Sequence, residues 1–350
     1  MSLRQTLIDR IRTIGPISVA DYMSECLLHP AYGYYATRDP FGTTGDFTTS
    51  PEITQMFGEL IGISLAQAWM DQGCPTPFVL AEAGPGRGTL MADLLRATRR
   101  VPGFHDAMQV HLIEASPSLR AKQEELIAHA TWHDSAETLP DLPLFFVANE
   151  FLDALPIHQF IRDKDQWRER LIGVDGDALT FGLGPAQPQP ALAHRLEDTE
   201  DGMMVEVCEP LAPMIDAIGG RIKRHGGTAL IIDYGDWHSQ GDTLQAVKDH
   251  KEVDVLADPG NADLTAHVDF EAICLATPCR FSRVTAQGVF LERLGITRRA
   301  QDLAKLMEPA QLEQHILAHR RLTHPEEMGN LFKVVALYPE GAKPPPGVEA

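Results

Sequence analysis

The sequence is short of positive charge. Its 30 lysines and arginines face 49 aspartates and glutamates, a formal charge of −19. A protein that neutralises the phosphates of a nucleic acid needs a basic footprint, so nucleic acid is not an expected partner. Cysteine is scarce too. Cys26, Cys74, Cys208, Cys274 and Cys279 are five, odd in number and scattered. That excludes a disulfide framework and reads as thiols of a reducing compartment. No close Cys or His pair completes a ligand set around Cys274 and Cys279, and HExxH is missing, so no metal is expected. No apolar run approaches the roughly 18–20 residues of a membrane span. Near the start, Leu3, Leu7, Ile8 and Ile11 recur at helical spacing around Asp9, unlike the uninterrupted apolar core of a secretory signal. The expectation is a soluble, cytoplasmic protein. A GxSxG elbow is also missing, so a serine hydrolase has no support.

Apolar residues are not lacking. At 44% they suffice for a sizeable core. Residues 1–75 read as a mostly helical section. Gly15 and Pro16 end its first helix, Ser18 caps a second, and Ser50, Pro51 and Glu52 open another. From about residue 78 the pattern changes to short apolar runs alternating with helices. The runs are Phe78–Ala81, Val110–Ile113, Leu144–Ala148 and Ala229–Ile232. This order predicts an α/β fold with a parallel sheet buried on both faces. The stretch between the third and fourth runs, about 80 residues, is too long for one crossover. An insertion over about 157–205 is expected there. Late runs at Ser282–Phe290 and Leu331–Tyr338 read as strands pairing antiparallel at the sheet edge. Residues 339–350 are proline-rich and read as a disordered tail.

The strongest chemical signal is Glu82 followed by Gly84, Gly86 and Gly88, between a strand and a helix. Glycines there let backbone approach a ligand, and the helix start offers free N–H groups. A dinucleotide pyrophosphate uses such a loop with GxGxxG spacing. Here the spacing is GxGxG, and Glu82 would repel a pyrophosphate but suit an ammonium group. Glu114 ends the next strand, where an acid can accept hydrogen bonds from both ribose hydroxyls. Asp134 stands after the following polar pair and is placed for an adenine amine. Asn149, Glu150 and Asp153 follow the most apolar strand, at the sheet edge where α/β ligands sit. Paired carboxylates match the donor fork of a guanidinium. Asp46, Ser50 and Glu52 supply a hydroxyl and acids from a glycine-rich loop. Tyr234 follows Asp233 at the fourth strand's end. His267 lies in a polar segment and could act as a base.

These motifs, in this order, resemble the MidA-like class I methyltransferases. The family includes a mitochondrial protein arginine methyltransferase needed for respiratory complex I assembly. The matching stretches are Gly45–Glu52 with Phe57–Glu59, Glu82–Gly88, Asn149–Pro156, Ile232–Gly235 and Leu264–Phe270. They span about residues 15–338. The resemblance implies a Rossmann-like class I methyltransferase fold over 76–338. Its sheet would be mostly parallel and seven-stranded, with an antiparallel edge strand, a helical N-terminal section and an inserted lobe. It implies S-adenosyl-L-methionine as methyl donor. It also implies a protein substrate, an arginine in a complex I core subunit. Carried over by position, Gly84, Gly86 and Gly88 would line the methionine moiety and Glu114 the ribose, while Asn149, Glu150 and Asp153 would face the substrate. Two other readings stay open at this point: a nicotinamide-dependent oxidoreductase, and a non-catalytic assembly chaperone that keeps the pocket.

Overall fold

The computed structural model describes residues 2–37 and 48–350. The apolar runs become strands β1 (Phe78–Ala83), β2 (Met108–Ile113), β4 (Leu144–Asn149) and β5 (Gly227–Asp236). A short β3 (Thr131–His133) and β6 (Phe332–Tyr338) complete the row. The spatial order is β3-β2-β1-β4-β5-β6, and only β6 runs antiparallel to its neighbour in that row. Beyond β6 the two-residue strands Arg280–Phe281 and Thr285–Ala286 pair with it. Counting the first of these, seven strands lie on the sheet's path.

Every residue of β1 and β4 is buried, because both faces carry helices. On one face Leu80 and Phe145 pack with Phe57, Leu60, Leu90 and Leu94. The first two of those four lie on α1 (Gln55–Asp71) and the others on α2 (Thr89–Thr98). On the opposite face Val79, Phe146 and Ile231 meet Ile215, Ile218 and Ile222 of the helix Leu211–His225. Alternate residues of one strand thus feed two separate cores.

The long β4–β5 connection houses a lobe. Strands His158–Asp163, Gln166–Asp175, Ala178–Gln187 and Met204–Val207 pair antiparallel in it. Ile17–Ser18, far away in sequence, adds a strand to this lobe. Leu7, Ile11, Tyr22 and Met23 of the N-terminal helices bury against Ile172 and Leu179 of the lobe and Leu264 beyond β5. No helix of the described residues is long and apolar enough to cross a membrane.

Two expectations need correction. Residues 339–350 form no helix or strand, yet they are not a loose tail. Val348 is buried in the core that holds Phe290, the Pro346 carbonyl accepts from Ser64 Oγ at 2.8 Å, and Arg293 pairs with Glu349 at 2.7 Å. Proline content predicts the lack of regular structure but says nothing of one valine filling a core. The run Ser282–Phe290 is not one strand. It becomes a helix at Gln287, burying Phe290 and Leu291. Short apolar runs do not separate strand from buried helix by period alone.

Candidate functional site

A cavity of about 1070 Å³ opens at the carboxyl ends of β1, β2, β4 and β5. Such an edge is where open α/β sheets take ligands. Glu82, Gly84, Gly86, Glu114, Asp134, Glu52, Asn149, Glu150, Asp153, Tyr234 and His267 all line it. Gly88 and Ser50 stand just behind the lining, and Asp46 lies outside the described residues.

The glycine loop is shaped by its backbone. Gly84 has φ +62°, and a Cβ there would meet Phe151 Cδ2 at 2.4 Å. Gly88, in the left-handed region, stands at the N-cap of α2. Its place is structural support rather than cavity wall. Beneath the loop Glu82 is 3% exposed, and its Oε2 has no partner. Burial, with the Glu114 charge adding, pushes its pKa up to about 8, against a hydrogen bond from the Met91 backbone. A buried carboxylate with a free oxygen calls for a cationic or donating ligand.

Glu114 is held from two sides. Its Oε1 accepts from the Ser116 N–H at 2.7 Å and its Oε2 from Gln123 Nε2 at 3.3 Å. The same Gln123 amide donates to the Gly86 carbonyl at 2.7 Å, and its Oε1 accepts from Trp132 Nε1 at 2.8 Å. Gln123, on the helix Pro117–Leu126, therefore ties the glycine loop to the strand-end acid. Sequence reasoning missed it. The available signal was a glutamine four residues after Leu119, on the face that is buried. Asp134 sits at the rim, with its carboxylate exposed and paired with Arg120.

The other half of the cavity is acidic and aromatic. Asp233 Oδ2 accepts the backbone N–H groups of Phe151, Leu152 and Asp153 at 3.2, 2.9 and 3.3 Å. This fixes the turn after β4. Glu150 adopts φ +51°, an uncommon conformation for a non-glycine residue. Its Oε1 accepts from the Ser50 N–H at 2.7 Å and Asn149 Nδ2 at 2.9 Å. Asn149 Oδ1 and Asp153 Oδ1 are buried without a partner. Burial and the charges of Asp233, Asp263 and Glu150 hold the Asp153 carboxyl well above the usual range, against a hydrogen bond from Tyr234. Glu52 Oε1 accepts from Thr89 Oγ1 at 2.6 Å, joining the Ser50 helix to the start of α2. The His267 ring stands edge-on to Tyr234 at 5.4 Å. Burial and the Lys333 charge lower its pKa, which favours the neutral ring. Tyr35 and Asp263 also line this half and were not singled out from the sequence.

The chain is similar to known methyltransferases. Residues 60–284 match the family model described as "Putative S-adenosyl-L-methionine-dependent methyltransferase". The chain is 36% identical to "Protein arginine methyltransferase NDUFAF7, mitochondrial" of Homo sapiens, covering 95% of this chain and 82% of that protein. The Danio rerio protein of the same name is 36% identical, covering 95% and 86%. A Burkholderia thailandensis "likely methyl transferase", solved bound to S-adenosyl-homocysteine, superposes with a TM-score of 0.81. It is 28% identical, covering 99% of this chain and 92% of that one. The expected cytoplasmic location is overturned, since these curated relatives are named as mitochondrial. The helical spacing of Leu3, Leu7, Ile8 and Ile11 bears on secretion and is silent about organelles. The glycine cradle, the orphaned Glu82 oxygen and Glu114 fit the methionine, ammonium and ribose groups of S-adenosyl-L-methionine. The chain belongs to the MidA-like family of S-adenosyl-L-methionine-dependent methyltransferases, with the Rossmann-like class I fold.

Proposed function

We propose that this methyltransferase acts on an arginine side chain of a respiratory complex I subunit and so supports assembly of that complex. The observation that carries the reading is Asp153 Oδ1, buried and unpartnered beside Glu150 in the acidic half of the cavity. A carboxylate so placed is costly until a cation reaches it. The names of the relatives point the same way.

Bound S-adenosyl-L-methionine supplies an activated methyl group. Glu82 would take its ammonium, Gly84 and Gly86 would let backbone approach it, and Gly88 would hold the loop's shape. Glu114 would take the ribose and Asp134 the adenine edge. Asn149, Glu150 and Asp153 would orient a guanidinium nitrogen toward the methyl. Alignment of this kind is the main contribution a protein makes when the donor is already activated. Asp153 would lose its own proton as the guanidinium docks, and its carboxylate would then accept the proton given up by the nitrogen once the sulfur–methyl bond breaks and S-adenosyl-homocysteine leaves. Ser50, whose N–H fixes Glu150, supports that geometry, while Glu52, Tyr234 and His267 line the substrate side and exclude water.

Mass spectrometry of complex I subunits from cells with and without the gene tests the proposal. The expected result is one arginine that loses its methyl groups when the gene is absent, and regains them when the purified enzyme and donor are added. Identical methylation in both samples would refute it.

A further inference from the structure

Three separate segments meet at the acidic end of the cavity. Tyr35 comes from the short helix Tyr34–Thr37, Asp153 from the turn after β4, and Asp263 from the hairpin strand Asp263–Thr265. The Tyr35 hydroxyl donates to Asp263 Oδ1 at 2.8 Å. The Tyr35 ring is itself held edge-on by the buried Tyr34 at 5.3 Å. Asp263 is 5% exposed and Asp153 is 7% exposed, with Asp153 Oδ1 unpartnered. Tyr234, whose hydroxyl accepts from Gln245 Nε2 at 3.5 Å, lines the same end of the cavity. Among the described lining residues the lysine and arginine count is one, Arg87, and it belongs to the glycine loop.

We propose that Asp263, braced by Tyr35, is the specificity-determining partner of Asp153, and that the two carboxylates grip a substrate guanidinium from different elements. The inference rests on the arginine reading above and adds the residues that select it. A guanidinium carries five N–H donors in one plane and can face two carboxylates at once. An ammonium is a compact, strongly hydrated point charge and gains less from two acceptors on separate elements. The Tyr35 and Tyr234 rings line the same end, and aromatic faces favour a planar cation over water. The Tyr35 hydrogen bond keeps Asp263 from turning away when no substrate is bound.

The test uses the purified full chain, tritiated S-adenosyl-L-methionine and complex I from cells lacking the gene. Mass spectrometry identifies the residue methylated by the wild type, which tests the arginine reading by itself. Asp263→Asn is then expected to raise KM for the protein substrate at least tenfold, with donor affinity by calorimetry within twofold of wild type. Asp263→Glu should recover part of the loss, and Tyr35→Phe should raise KM several-fold. An unchanged KM in Asp263→Asn, with arginine methylated by the wild type, overturns this inference and leaves the arginine reading standing. Weakened donor binding or a lost thermal transition in Asp263→Asn, unrescued by Asp263→Glu, also overturns it, since the carboxylate would then be structural. Methylation of a residue other than arginine by the wild type defeats both.

Discussion

Glu82 holds its proton far longer than an ordinary carboxyl, to about pH 8 against a usual 4.5. The unfolded chain releases that proton near 4.5. The folded state therefore binds more protons between these values, and stability falls as pH rises through that window. Glu82→Gln removes the charge. The donor-free variant should melt higher than wild type at pH 8.5, by roughly 1–3 kcal/mol of relieved desolvation. The two should converge near pH 4.5, while the variant binds S-adenosyl-L-methionine more weakly. Thermal melts across that range decide it, and a gap independent of pH would sink the assignment. Glu150 is a different case, since its oxygen already holds Ser50 and Asn149 in place. Glu150→Gln should leave donor affinity intact and cut turnover at least about tenfold, roughly 1.4 kcal/mol of barrier. Steady-state kinetics with a calorimetric control separates the two effects.

At the scale of elements, the glycine loop and the strand-end acid behave as one unit through Gln123. Gln123→Ala would leave the Gly86 carbonyl and the Trp132 N–H without their partner, at a cost of about 1–3 kcal/mol. It should also weaken donor binding, because the loop loses its tie to Glu114. Equilibrium denaturation and calorimetry on the same samples measure both. The strands β1, β2, β4 and β5 were legible because each is a short apolar run between helical stretches. The loop was legible because three glycines and an acid follow one of those runs. β3 was not, since its three residues are only partly apolar and one is exposed. Tyr35 and Asp263 were illegible for another reason. Each acts through a partner distant in sequence, and spacing along the chain carries no trace of such contacts. The break at Gln287 was hidden because one apolar run serves two elements.

The whole molecule is tied together by segments that composition marks as loose. Removing residues 339–350 would uncover the seat of Val348 and take away the Ser64 and Glu349 contacts. A loss of roughly 2–3 kcal/mol is expected, with donor affinity of the folded fraction unchanged. Urea titration followed by donor binding checks this, and an unaltered midpoint would show that these contacts contribute nothing. The acid excess likewise has a local share. Glu82, Glu114, Glu150, Asp153, Asp233 and Asp263 gather near one cavity, so a share of the 49 acidic residues is local and directed.

The pairing of Ile17–Ser18 with Leu171 and Ile172 also sets an order of events. A chain that emerges from the ribosome in sequence presents residue 17 long before its partner exists. The first helices must therefore wait with Leu7, Ile11 and Met23 uncovered until the lobe has been made. β5 must wait similarly for β6. Long-range pairings of this kind slow folding. Nascent chains of this enzyme should accordingly depend on chaperones through much of their synthesis, and the cavity wall carrying Tyr35 should be among the late parts to close.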